Sequence, residues 1–185
     1  AFCQQLKTDK AISHIPVILL TARSLDEQRA EGYEHGADAY LSKPFSLRLL
    51  FSRIDNLIQS RKKLSQMFSN SDENGVFEKL SNETDKTFVT QLRKIIQENL
   101  GNSEFNVERI GDEIGLSRVQ LYRKVKALTG HSPVEMLRKA RLMRARHLLR
   151  TTEKSVSEVA YSVGFSTPSY FSKCYKDEFG ESPKK

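Results

Sequence analysis

Two hydrophobic rhythms divide this chain. In residues 1–64 short continuous apolar runs alternate with helical spacing. Residues 15–20, Ile-Pro-Val-Ile-Leu-Leu, predict a strand buried on both faces, and Ala39-Tyr-Leu41 predicts a second short strand stopped by Lys43-Pro44. Around them residues 1–14 read as a polar helix with Phe2 and Leu6, and residues 25–35 as a helix ended by Gly36. Ser46 caps a helix carrying Leu47, Leu50, Ile54, Leu57 and Ile58. Helices alternating with buried strands predict a parallel α/β sheet. Residues 65–84 are rich in Ser, Asn and Glu, the composition of a linker, with Phe68 and Phe77 able to touch its neighbours. From Asp85, read as a helix cap, the rhythm is helical throughout. Phe88, Leu92, Ile95, Ile96 and Leu100 make the first stripe, ended by Gly101.

The stretch from Ile110 to Pro183 is a repeat, and repeats decide architecture. One copy runs Ile110-Gly-Asp-Glu-Ile-Gly-Leu-Ser117 and on through Leu121 to Gly130-His-Ser-Pro133. The other runs Val159-Ala-Tyr-Ser-Val-Gly-Phe-Ser166 and on through Phe171 to Gly180-Glu-Ser-Pro183. Each reads as helix, tight turn, helix. Asn106 and Ser155 are N-caps, the latter with Glu158 in a capping box, and Gly115 and Gly164 end the first helices. Ser117 with Gln120, and Thr167 followed by Pro168, open the second helices. Gly111 and Ala160 are the matching small residues for a close helix crossing. This is the helix-turn-helix pattern.

The faces of the second helices carry the chemistry. Leu121, Val125, Leu128 and Thr129 in one copy, and Phe171, Tyr175 and Phe179 in the other, fall on a core face. Opposite them lie Val119, Tyr122, Arg123 and Lys126, matched by Ser169, Ser172, Lys173 and Lys176. A single basic helix face is usually just solvated. Two matched ones in two matched units predict a DNA-reading surface. Between them residues 133–150 predict one unbroken helix, roughly 25 Å long, with Leu142, Ala145, Leu148 and Leu149 as its packing stripe. Arg138, Lys139, Arg141, Arg144, Arg146 and Arg150 cover the rest. Such a strut suits two readers about one DNA turn, ~34 Å, apart.

Charge sharpens this reading. The net charge is +7, and residues 101–185 hold 16 basic against 10 acidic side chains, whereas residues 65–84 are net acidic. A basic excess on the repeat is the footprint that nucleic acid requires. The two cysteines, Cys3 and Cys174, are too few for a disulfide framework or a zinc site, and Cys174 is expected to be packed. His14, His35, His131 and His147 have no metal-ligand spacing. No signal peptide or long apolar run is present, which predicts a cytoplasmic chain. It begins without methionine inside a helical pattern, so both ends read as cuts in a longer protein.

Residues 85–185 resemble the DNA-binding domain of AraC-type transcription regulators, on Gly115-Leu-Ser, Leu121-Tyr-Arg-Lys, Thr129-Gly-His-Ser-Pro, the second copy's Val159-Ala-Tyr-Ser-Val-Gly-Phe-Ser, Tyr170-Phe-Ser-Lys and Phe179-Gly-Glu-Ser-Pro. The resemblance implies that Val119, Tyr122, Arg123, Ser169, Ser172 and Lys173 face base edges. Residues 1–64 resemble the C-terminal half of a two-component receiver domain, on Leu19-Leu-Thr-Ala and Gly36-Ala-Asp-Ala-Tyr-Leu-Ser-Lys-Pro-Phe45. That implies Lys43 and Thr21 as contacts of a phosphoryl group, Tyr40 as the aromatic that changes rotamer, and room for a cis Lys43–Pro44 bond. The phospho-accepting aspartate and the acidic magnesium pair lie on earlier strands in receivers. This chain lacks them, so neither a phosphorylation site nor a metal site is assigned, and Mg2+ is expected only in a complete receiver.

The expected fold is multidomain: a partial flavodoxin-like α/β half over 1–64, a linker over 65–84, and an all-α domain over 85–185 with two helix-turn-helix units joined by a long helix. The expected function is a sequence-specific transcription regulator under phosphorelay control, most like the end of a hybrid two-component regulator. The alternative is a receiver-based interaction or phosphotransfer module with secondary, non-specific DNA binding. No nucleophile–base pair or phosphate loop supports an enzyme. Double-stranded DNA, an upstream histidine kinase or fused kinase module, RNA polymerase and a second copy paired through the receiver are the expected partners. Within a full-length hybrid sensor the chain would be tethered to the inner membrane.

Overall fold

The computed structural model describes residues 2–22, 36–69, 80 and 82–184. The helix expected over 25–35 and most of the linker lie outside these residues. Chain contacts form two compact units, Ala1–Val89 with Gln120–Gly130, and Thr90–Val119 with His131–Lys185.

The first unit begins with α1 (Phe2–Thr8), shorter than the helix expected over 1–14. A turn follows, fixed by Asp9, whose carboxylate accepts from Ala11 N at 2.7 Å and whose carbonyl accepts from Ser13 N at 2.9 Å. Phe2 points to solvent, and Cys3 and Lys7 are the buried residues of α1. Strands β1 (Ile18–Thr21) and β2 (Ala39–Ser42) pair in parallel, with Leu19 opposite Tyr40 and Thr21 opposite Ser42. The parallel pairing matches the α/β expectation. Burial on both faces does not: Leu20 is 45% exposed, because β1 has one neighbouring strand among the described residues.

Asp38 anchors this pair by accepting from Val17 N at 2.8 Å and from the Lys7 ammonium, which also donates to the Ile15 carbonyl. Helix α2 (Leu47–Ser69) starts at Ser46, whose hydroxyl accepts from Leu49 N at 3.2 Å. It runs eleven residues past Ile58, into the expected linker. Of its apolar stripe Leu50, Ile54 and Leu57 are half-buried, while Leu47 and Ile58 stay exposed.

Helix α3 (Glu83–Glu98) begins two residues before the expected cap. Asn82 is the capping residue, since its side chain accepts from Thr84 N and its carbonyl from Asp85 N and Lys86 N. Asp85 therefore lies inside the first turn, with 1% of its surface exposed. The predicted stripe of α3 is buried from Phe88 to Leu100.

The second unit holds α4 (Val107–Ile114), α6 (Pro133–Thr151), α7 (Val156–Ser162) and α8 (Pro168–Phe179). Helix α5 (Arg118–Thr129), most of which belongs to the first unit, lies between α4 and α6 in the chain. Leu142, Ala145 and Leu149 of α6 share one core with Val159, Ala160, Phe171 and Tyr175. Edge-on rings continue it, at 5.2 Å from Phe165 to Phe171 and 4.6 Å from Tyr175 to Phe179. Cys174 is packed in this core as expected.

Gly164 sits in the left-handed region at φ 80°, and a Cβ there would lie 2.5 Å from the Leu100 carbonyl oxygen. Gly115 has nearly the same φ, 77°, but faces open space. Gly164→Ala is therefore expected to destabilise the protein by about 1 kcal/mol more than Gly115→Ala, a difference that urea denaturation of the two variants measures. Equal losses would mean that backbone conformation alone sets both.

Candidate nucleic acid interface

Caps fix α4, the helix ahead of the first reading helix, and α8, the second reading helix itself. In the first copy Asn106 accepts from Arg109 N at 3.1 Å, Gly115 closes α4, and Leu116 N donates back to the Gly111 carbonyl at 2.9 Å. An exposed ion pair, Arg118 to Glu108 at 2.8 Å, links the start of α5 to α4; such surface pairs contribute little. In the second copy Ser155 and Glu158 make the full capping box, and Thr167 caps α8 ahead of Pro168. A capping box absent from the prediction, Ser132 with Glu135, opens α6.

The two-faced character of the helices holds residue by residue. On α5, Leu121, Val125 and Leu128 are fully buried and Thr129 nearly so, while Val119, Tyr122, Arg123 and Lys126 are exposed. On α8, Phe171 and Tyr175 are buried with Phe179 at the edge of the core, while Ser169, Lys173 and Lys176 are exposed and Ser172 is half-buried. Each helix thus spends one side on its core and leaves a basic, donor-rich side outward.

Three residues need correction or addition. Arg141, expected among the basic residues that cover the helix outside its packing stripe, donates instead to the carbonyls of Leu100, Asn102 and Phe105 at 3.2, 2.6 and 3.3 Å. These three carbonyls lie in the loop between α3 and α4, and one guanidinium fork gathers them. Tyr170, not predicted, is 54% exposed in the first turn of α8 beside Ser169. Lys124, also missed, is fully buried on the inner face of α5. Its place at i+3 from Leu121, next to Val125, was the available signal.

At the carboxyl ends of the parallel strands, Thr21 and Lys43 come together: Lys43 N donates to the Thr21 carbonyl at 2.6 Å, and the Lys43–Pro44 bond is cis. The Lys43 side chain is exposed, and Tyr40 is half-buried, its pKa raised by burial. A hydroxyl and an ammonium at strand ends suit an anion. They do not make a magnesium site, and Asp38, at the opposite end of β2, is already engaged with Lys7 and Val17. Among the described residues no three His, Cys, Asp or Glu side chains gather as a metal site, and no helix is long and apolar enough to cross a membrane.

Paired helix-turn-helix units with buried inner and basic outer faces define a helical DNA-binding domain, here joined to a parallel α/β segment. Residues 1–55 match the response regulator receiver domain family and residues 110–185 a helix-turn-helix domain family. The chain is 40% identical over 181 residues, 98% of its length, to Histidine kinase P4 of Formosa agariphila, of which it spans 13%. It is 36% identical over 147 residues, 69% of its length, to the HTH-type transcriptional activator RhaS of Escherichia coli, of which it spans 53%. Among solved structures, the C-terminal domain of the two-component response regulator yesN from Fusobacterium nucleatum aligns with a TM-score of 0.51 at 28% identity. That alignment covers 52% of this chain and 94% of the other. Residues 110–185 are thus an AraC-type helix-turn-helix domain, and residues 1–55 are part of a response regulator receiver domain.

Proposed function

We propose that this chain is the output end of a two-component transcription regulator, in which α5 and α8 read two short DNA boxes and the receiver segment conveys phosphorelay control. The observation that carries this is the matched pair of outward basic faces, Tyr122, Arg123 and Lys126 on one helix and Ser169, Lys173 and Lys176 on the other. Arg123 and Lys173 contact guanine or phosphate, Tyr122 a thymine methyl or the backbone, and Arg138, Arg144 and Lys176 supply the sequence-independent phosphate term. Thr21 and Lys43 contact a phosphoryl group carried by an aspartate on a strand other than β1 and β2. Mg2+ belongs to that other part of a receiver. The chain acts in the cytoplasm by binding rather than catalysis. Its partners are DNA, a histidine kinase, separate or fused, and RNA polymerase, with a second copy paired through the receiver. Its 98% coverage by a histidine kinase relative supports the fused, hybrid arrangement.

Selection of random duplex DNA by the chain tests this. The expected result is an enriched motif of two boxes about one helical turn apart, with an affinity that falls steeply with salt. Arg123→Ala and Lys173→Ala should each abolish preference at a different box, at a cost of about 1–3 kcal/mol. Binding without any enriched sequence would favour the interaction-module reading instead.

A further inference from the structure

We propose that the turn at residues 10–14 sets the orientation of the first reading helix through Lys124, which makes Ser13 and Lys124 positioning residues for one of the two DNA boxes. This rests on the DNA-reading role of α5. Lys124 lies next to Arg123 in the chain, yet its side chain is fully buried. Its ammonium spends three donors inside one compact unit: on Asp85 Oδ1 at 2.8 Å, on Ser13 Oγ at 2.5 Å and on the Lys10 carbonyl at 2.9 Å. It also lies 4.8 Å from the centre of the Phe88 ring. Ser13, itself without exposed surface, passes its hydroxyl hydrogen to the same Asp85 oxygen at 2.7 Å.

The geometry is directional in a way that an apolar contact is not. Leu121, Val125 and Leu128 keep α5 against its core but tolerate small rotations. Three charge-assisted bonds from one ammonium tolerate far less. Two of the three acceptors belong to the turn at residues 10–14, and Asp9 fixes that turn. Asp85 extends the set further. Its second oxygen lies 4.0 Å from Arg61, which lies 3.7 Å from Asp38, the anchor of the parallel strands. A continuous chain of charge thus leads from the start of β2 to a side chain directly beneath the DNA-facing residues of α5. Rotating α5 enough to break the Lys124 bonds would carry Tyr122, Arg123 and Lys126 with it.

Ser13→Ala removes the turn's side-chain link and leaves the Lys124–Asp85 pair in place. In the full chain, with DNA carrying both boxes, it should reduce base discrimination at least about fivefold at the box that Arg123→Ala identifies as α5's. Discrimination at the α8 box should be unchanged. Without DNA, amide hydrogen exchange across residues 120–129 should quicken relative to α8. Parallel weakening of both boxes would assign Ser13 a general stabilising role and overturn the proposal, as would unchanged discrimination at the α5 box. A wild-type chain with no sequence preference would remove the reading role of α5 itself, and the positioning role with it.

Discussion

Asp85→Ala should lower the unfolding free energy by about 3–5 kcal/mol. The substitution leaves the fully buried Lys124 ammonium without its anion, and Ser13 and the Lys10 carbonyl offer dipoles but no compensating charge. Burial already pulls the Lys124 pKa down, and the bond to Asp85 holds it up. An unpaired Lys124 must either lose its proton or drag water inward. The pair itself need not be a net source of stability. Replacing both members together, as Asp85→Leu with Lys124→Met, should restore most of the loss, because two apolar side chains no longer carry a desolvation cost. Denaturant unfolding followed by far-UV ellipticity separates these cases. A loss below about 1 kcal/mol in Asp85→Ala would show that water already reaches Lys124, as at a surface pair. A double variant as unstable as the single one would show that shape, not charge, is at stake.

This pair also marks where the sequence stops being legible. Local signals survived folding well. Gly115, Gly164, Ser155 with Glu158, and Thr167 with Pro168 each do what their residue types favour, because caps are settled by neighbours three or four positions away. The inner and outer faces of α5 and α8 followed from helical spacing for the same reason. Asp85 misled because an acidic residue ahead of an apolar stripe is a standard cap signal. Asn82 takes that role three residues earlier, which frees Asp85 to meet a lysine 39 positions downstream. No periodicity announces such a partner. Arg141 misled likewise: on the helix it is one basic residue among many, and only the carbonyls of the loop between α3 and α4 show why it turns inward. The linker composition over 65–84 lacked a breaker before Gly75, so α2 continues to Ser69 where polar residues alone suggested an end. The apolar run at residues 15–20 gave the strand and its parallel pairing, but exposure depends on how many strands flank it, which no single segment encodes.

The same buried cluster should make stability fall steeply on mild acidification, through His14. This imidazole is 9% exposed, and its Nδ1 has no hydrogen-bond partner among the described residues. Burial first, and then the Lys124 charge, bring its pKa from 6.5 to about 4. Asp85 opposes the shift, while Arg61 and Lys7 add to it. The folded-state value is the depressed one, so His14 costs nothing above pH 6.5, where it is neutral in both states. Between pH 6.5 and about 4 the unfolded chain binds a proton that the folded chain refuses. Stability then drops by about 1.4 kcal/mol per pH unit, reaching about 3 kcal/mol near pH 4. Carboxylates titrate in the lower part of that range as well, so the quantity to measure is the difference between the wild-type chain and His14→Gln. Urea unfolding of both between pH 7.5 and 4 should give curves that separate at neutral pH by a constant and converge or cross as the pH falls. Curves that stay parallel would mean that His14 takes up its proton within the fold without resistance.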